Sequence, residues 1–185
     1  MEPRKTKKLL EILRWADRMY HPNLFISIQI PFEAKTEDMD AFMRQAWLII
    51  KRAEKNLLGR YWVSKHYRFV GFCERGQDKT WHAHLLLACH DRDKATVEAA
   101  FAAAGEYYKR TRRTEAVPDI LIKEITGLKG VIRYCTKQLG LDRLAHVRSE
   151  HIFLSEEIFN HGSSRFQACC TNLSINNQAR NTICH

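Results

Sequence analysis

Two runs rich in β-branched, aromatic and leucine residues, 67–74 and 81–89, face each other across the polar segment Arg75-Gly76-Gln77-Asp78-Lys79-Thr80. Apolar runs on either side of a short Gly- and Asp-containing turn predict an antiparallel β-hairpin. If the hairpin turns about Asp78, Glu74 and His82 occupy symmetric positions and stand directly across from each other. Opposed residues have β-carbons about 4.5–5.5 Å apart. Side chains alternate along a strand, so His82 and His84 project from one face, with Glu74 beside them. Leu85, Leu86 and Leu87 are core residues, and Trp81 faces the other side, also toward core.

The rest of the chain supplies a frame for this hairpin. Lys5 to Met19 carries Leu9, Leu10, Leu13 and Met19 near one helical face. Asn23 to Ile30 alternates as a strand and is closed by Pro31. Thr36-Glu37-Asp38 opens a helix in which Met43, Trp47, Ile50 and Ala53 recur at helical spacing to about Leu57. Asp91 precedes an alanine-rich helix from about Lys94 to Tyr108, and Pro118 to Ile125 is a further strand. Gly127 to Leu139 reads as a helix ending before Gly140. Ile152 to Phe159 holds a short strand and a helical turn, and 161–185 is polar. The order α-β-α-β-β-α-β-α predicts an α+β fold, a largely antiparallel sheet with helices packed on it. The expected division is one domain over 1–145, including a helix at 5–20, and an extension over 146–185.

The formal net charge is +9 and the isoelectric point is about 9.4. That balance favours an acidic partner, nucleic acid or an anionic surface. No apolar run approaches the roughly 20 residues of a membrane span, and Glu11, Arg14, Asp17 and Arg18 interrupt what would be a signal-peptide core. Six irregularly spaced cysteines fit a reducing compartment better than a disulfide framework. The expectation is a soluble, cytoplasmic protein with no membrane partner.

Two imidazoles and a carboxylate on one patch form a three-ligand set with open positions, the pattern of a catalytic metal rather than a closed structural one. Mixed nitrogen and oxygen donors leave Mg²⁺, Mn²⁺ and Zn²⁺ open. The plainer alternative is two surface histidines and a salt-bridged glutamate. A second element lies in Val131-Ile132-Arg133-Tyr134-Cys135-Thr136-Lys137-Gln138-Leu139. On a helix, positions i and i+3 are neighbours, so Tyr134 and Lys137 share a face. A tyrosine hydroxyl is a weak nucleophile at its usual pKa of about 10, and a nearby cation favours the phenolate. The plainer alternative here is that Tyr134 packs with Leu139 while Lys137 is a solvated charge near a helix end.

Taken together, His82-Ala83-His84 on a strand and Tyr134-Cys135-Thr136-Lys137 on a later helix resemble the HUH endonucleases. The likeness is greatest to rolling-circle replication initiators of plasmids, phages and single-stranded DNA viruses, and covers about residues 20–140. Ala83 is smaller than the bulky apolar residue usual between the histidines. Gln138 stands where some initiators have a second tyrosine, so the resemblance is to a single-tyrosine enzyme. It implies a ferredoxin-like sandwich and one Mg²⁺ or Mn²⁺ held by Glu74, His82 and His84. It further implies Tyr134 as a nucleophile leaving a 5′-phosphotyrosine, Lys137 as its assistant, and single-stranded or origin-hairpin DNA as substrate, with a host helicase as a further partner.

Two basic clusters, Arg4, Lys5, Lys7, Lys8 and Lys109, Arg110, Arg112, Arg113, are candidate phosphate contacts. The second follows Tyr107-Tyr108, rings on which bases can stack, although a solvated loop over 109–114 is the alternative. Tyr107 and Tyr108 also compete with Tyr134 as nucleophile. Cys169-Cys170 with Cys184-His185 matches no compact zinc spacing, and His66, His90, His146, His151 and His161 have no distinguishing company. The same chemistry also serves single-tyrosine transposases and plasmid-mobilising relaxases. A reading of another class is a nucleic-acid-binding module without catalysis, which would expose aromatics where this chain has Glu74, His82 and His84.

Overall fold

A computed structural model of the chain describes Arg14, Asp17, Arg18, residues 20–30, 38–75, 80–127, Val131 and 152–155. Its strands are β1 (Leu24–Gln29), β2 (Arg68–Arg75), β3 (Trp81–Ala88), β4 (Asp119–Glu124) and β5 (Ile152–Leu154). Its helices are α1 (Met39–Leu58) and α2 (Lys94–Arg112), with a 3-10 turn at Gly59–Tyr61 following α1. The expected helices over 5–20 and 127–139 fall mostly outside the described residues. The fold class is the one expected, α+β with an antiparallel sheet and helices packed on it.

The strands form one sheet in the order β4-β1-β3-β2-β5, every pair antiparallel. Through β4 this is the split β-α-β-β-α-β arrangement. β1 and β2 run parallel to each other with β3 inserted between them. The hairpin predicted from the turn is therefore the centre of the sheet, and both of its strands are hydrogen-bonded on two sides.

Alternation divides the sheet's side chains between two faces. One face carries Leu24, Ile26 and Ile28, Phe69 and Cys73, Ala83, Leu85 and Leu87, and Ile122, all in the buried cluster that α1 and α2 complete. Helix α1 contributes Phe42, Ala46, Ile49, Ile50, Ala53 and Leu57, a stripe at the i, i+4, i+7, i+8 spacing of an amphipathic helix. The Asp38 carboxylate caps its start by accepting from the Asp40 amide. Gly59, at φ 55°, ends it, a backbone conformation that favours glycine. Helix α2 begins at Asp93, whose side chain accepts from the Thr96 amide at 2.7 Å. It presents Val97, Ala100, Phe101, Ala104, Gly105 and Tyr108 inward. Its small residues let it lie close: a β-carbon on Gly105 would stand 3.1 Å from Val117 Cγ1.

The opposite face is not simply a wet surface. Phe25, Val70, Phe72 and Leu86 lie on it, and all four are buried although none belongs to the helix-side cluster. Among the described residues, no helix is long and apolar enough to cross a membrane.

Candidate metal centre

The register of the sheet sets Glu74 across from His82, and continues the row through Gln29 of β1 to Asp119 of β4. The next row on the same face runs Phe72, His84, Ser27, Leu121. Glu74, His82 and His84 are thus brought to one face, the one turned away from α1 and α2.

Their side chains meet on a diagonal. Glu74 Oε1 lies 3.0 Å from Nε2 of His84, two residues along β3 from its direct partner. His84 is only 2% exposed. Its ring stacks on Phe25, centroids 5.4 Å apart, and leans on Phe72 at 5.3 Å. Aromatic walls on both sides and a carboxylate at its edge leave the imidazole little freedom to turn. Glu74 Oε2 is buried and has no hydrogen-bond partner among the described residues. An orphaned carboxylate oxygen of this kind costs about 1–3 kcal/mol or more if nothing compensates it.

His82 lies parallel to His84 at 6.3 Å between centroids. Its Nε2 is 3.0 Å from the hydroxyl oxygen of Thr80, which is itself buried. The three donors therefore share a face without converging: among the described residues, no group of three or more His, Cys, Asp or Glu side chains is arranged to hold a metal ion. What fits a cation is the donor chemistry together with the unsatisfied Glu74 oxygen. What opposes it is the turn of the His82 ring toward Thr80.

Of the other candidates, Tyr134, Lys137, Arg4, Lys5, Lys7, Lys8, the Cys169-Cys170 and Cys184-His185 pairs, and His146, His151 and His161 lie outside the described residues. Lys109, Arg110 and Arg112 form the last turn of α2, and Arg113 is its left-handed cap at φ 54°. The helix thus continues past Tyr108 through a stretch open to reading as a loop, because cations stabilise the carbonyl end of a helix dipole. That turn leads into β4, so it lies at the end of the sheet bearing Glu74 and His82.

Tyr108 does not offer a stacking platform. It is 2% exposed, and its hydroxyl donates to Gln45 Oε1 on α1. Tyr107 is exposed, and the Arg52 guanidinium lies 4.0 Å from its ring centroid. His66 does have company: its Nδ1 is 3.2 Å from Glu54 Oε2, whose other oxygen accepts from the Tyr67 amide. His90 Nε2 is 2.7 Å from the His21 carbonyl oxygen. Trp81 packs against the helix-side core as expected. No family model, curated protein or solved structure matches the chain.

Proposed function

We propose that the protein is a metal-dependent endonuclease that nicks single-stranded DNA through a tyrosine, in the manner of the single-tyrosine HUH enzymes it resembles. The observation that carries the reading is the half-buried Glu74 side chain, with one oxygen on His84 and its buried Oε2 without a hydrogen-bond partner among the described residues, beside a second histidine on the same face. Glu74, His82 and His84 would hold one Mg²⁺ or Mn²⁺. Such an ion, when bound, withdraws charge from a phosphate oxygen and makes the phosphorus a better electrophile.

The remaining chemistry belongs to the chain. The Tyr134 oxygen forms a bond to phosphorus while the bond from phosphorus to the 3′-oxygen breaks. The proton leaving the phenol is matched by the proton taken up by the departing 3′-hydroxyl. The product is a 5′-phosphotyrosine, whose phosphodiester energy is retained, so that a later 3′-hydroxyl can reseal the strand. Lys137, three residues after Tyr134 in the sequence, would stabilise the phenolate and the charge on the phosphorane.

Of the chain's six tyrosines, five are poor alternatives. Tyr20 is buried, which pushes its pKa up. Burial and Tyr67's bond to Asp91 do the same for Tyr67. Tyr108 is buried against Gln45. Tyr107, on α2, lies on the helix side of the sheet, and Tyr61 follows α1 at the end of the sheet away from Glu74. Initiation of rolling-circle replication, in the cytoplasm of a host, is the biological role this activity fits. A transposase or relaxase would use the same chemistry.

A second reading rests on the His82 ring. Its contact with Thr80 rather than Glu74 favours a structural Glu74–His84 pair in a nucleic-acid-binding module without catalysis. Incubating the protein with labelled single-stranded DNA and Mn²⁺ decides between them. The expected result is a covalent adduct on a denaturing gel, with the nucleotide on the Tyr134 peptide by mass spectrometry and no adduct from Tyr134→Phe. Cleavage without any labelled tyrosine would mean hydrolysis by water, and no cleavage under any metal would leave the binding module.

A further inference from the structure

Between Glu54 and Glu74 the chain has no acidic residue for nineteen positions, yet it carries Lys55, Arg60, Lys65 and Arg68. In the middle of that stretch Gly59-Arg60-Tyr61-Trp62-Val63-Ser64-Lys65 forms an outward turn after α1. Tyr61 is 49% exposed and Val63 is 73% exposed, and Trp62 is half-buried. The shape of the turn is defined by its backbone. The Trp62 amide donates to Gly59, and the Ser64 and Lys65 amides both donate to the Tyr61 carbonyl. Glu54 anchors its far side through His66 and the Tyr67 amide, so that carboxylate is already engaged.

The aromatic rings of this turn are dressed with cations. The Arg60 guanidinium lies 4.9 Å from the Tyr61 centroid and donates to the Tyr61 hydroxyl at 2.7 Å. Lys65 Nζ is 5.4 Å from the same ring, and Lys55 Nζ is 5.0 Å from the Trp62 ring. Rings on which bases stack, flanked by cations that reach the intervening phosphates, are how proteins hold single strands without reading sequence. A membrane surface asks for something else, a broad apolar face of Leu, Phe or Trp. Here the exposed aliphatic contribution is one valine.

We propose that the turn 59–65, with Lys55 and Arg68 at its margins, is a second contact for single-stranded nucleic acid. It is separate from Glu74, His82 and His84. β2 begins beside it at Arg68 and reaches Glu74 six residues on, about 20 Å at the rise of an extended strand. A nucleic-acid strand gripped at both places would have to span about that distance. The inference rests on the nuclease reading only for the single-stranded form of the partner.

The test uses the full chain and a fluorescein-labelled oligo(dT), followed by anisotropy at fixed salt. Tyr61→Ala should weaken binding about 5- to 150-fold, the loss that follows removal of one stacking ring. Tyr61→Phe, which keeps the ring, should bind nearly as the native chain does. Arg60→Ala with Lys65→Ala should weaken binding and lower the salt dependence. An oligonucleotide carrying 5-iododeoxyuridine should photocrosslink to the peptide containing Tyr61 and Trp62. Unchanged affinity in Tyr61→Ala, or crosslinks confined to other peptides, would overturn the proposal. So would loss of binding to vesicles of anionic phospholipid with no loss for oligo(dT). Glu74→Gln separates the two readings. If it abolishes cleavage while binding at the turn persists, both stand. If the native chain never cleaves yet crosslinks at Tyr61, the nuclease reading fails alone.

Discussion

Glu74 stands directly across from His82 in the sheet but gives its carboxylate to His84, 3.0 Å away on the diagonal. The direct partner is left to Thr80. A cation drawing these groups together would keep the Glu74 side chain near its present place. It would satisfy the orphaned Oε2 and pull the His82 ring from the threonine.

Metal should therefore stabilise the fold, since a ligand that binds only the native state adds about 2.7 kcal/mol at a hundredfold excess over its dissociation constant. Thermal unfolding with and without Mn²⁺ should show a rise of several degrees in the native protein. Glu74→Gln should unfold near the metal-free native temperature and show no rise. A large loss of stability in metal-free Glu74→Gln would instead make the Glu74–His84 pair a structural one.

Thr80→Val tests the other contact. Valine keeps the shape and removes the hydroxyl, so His82 is released from a hydrogen bond of about 0.5–1.5 kcal/mol. If that bond must break for the cation to bind, calorimetry should show Mn²⁺ affinity rising about 2- to 12-fold. A fall in affinity would mark Thr80 as a support that orients His82 for the metal.

The basic last turn of α2 should act on DNA through charge alone. Replacing Arg110, Arg112 and Arg113 with alanine should weaken binding to all sequences alike. It should also lower the slope of log K against log salt by about 0.7 for each lost contact with a single strand. The same change should cost the helix about 0.3–1 kcal/mol per charge at its carbonyl end, visible as a modest fall in melting temperature. An unchanged slope would assign these arginines to helix capping only.

Alkaline pH should loosen the fold. Burial pushes the Cys89 thiol up to about 11, partly opposed by its contact with Tyr67. Burial likewise holds Cys73 and Tyr20 well above their ordinary values. Between the ordinary values, about 8.5 for a thiol and about 10 for a phenol, and these raised ones, the native state keeps protons that the unfolded chain has lost. Stability then falls as pH rises, with each such group adding up to about 1.4 kcal/mol per pH unit. Denaturant unfolding at pH 7.5, 9 and 10 should show the fall beginning near 9, and Cys89→Ala should flatten part of it.

The hairpin could be read from the chain because its information is local: a polar turn between two apolar runs sets which residues oppose each other. That is why Glu74 and His82 were expected as partners and are partners. Gln29 and Asp119, in the same row, could not be found that way, since no turn links them to His82 and only the sheet order brings them there. The diagonal reach of Glu74 and the Phe25 and Phe72 rings around His84 depend on side-chain rotamers and a cross-strand neighbour that spacing does not reveal. Tyr108 was legible but misread. Counting from Val97 through Ala100, Phe101 and Ala104 puts it on the buried stripe, whereas its basic neighbours suggested an exposed ring.

Placement of the histidines on the central strand also governs where this chain can change length. Lengthening the segment between β2 and β3 leaves the residues of both strands in their order, and the ladders on both sides of β3 keep His82 and His84 in phase. One residue inserted between Leu85 and Leu87 has another outcome. It shifts the preceding half of the strand by one position, and a one-residue shift exchanges the two faces. Both imidazoles would then be driven into the layer where Cys73 meets Met43, and Ala83 would take their place outside. Changes of length between β2 and β3 therefore leave the two imidazoles on their present face, whereas changes of length inside β3 do not.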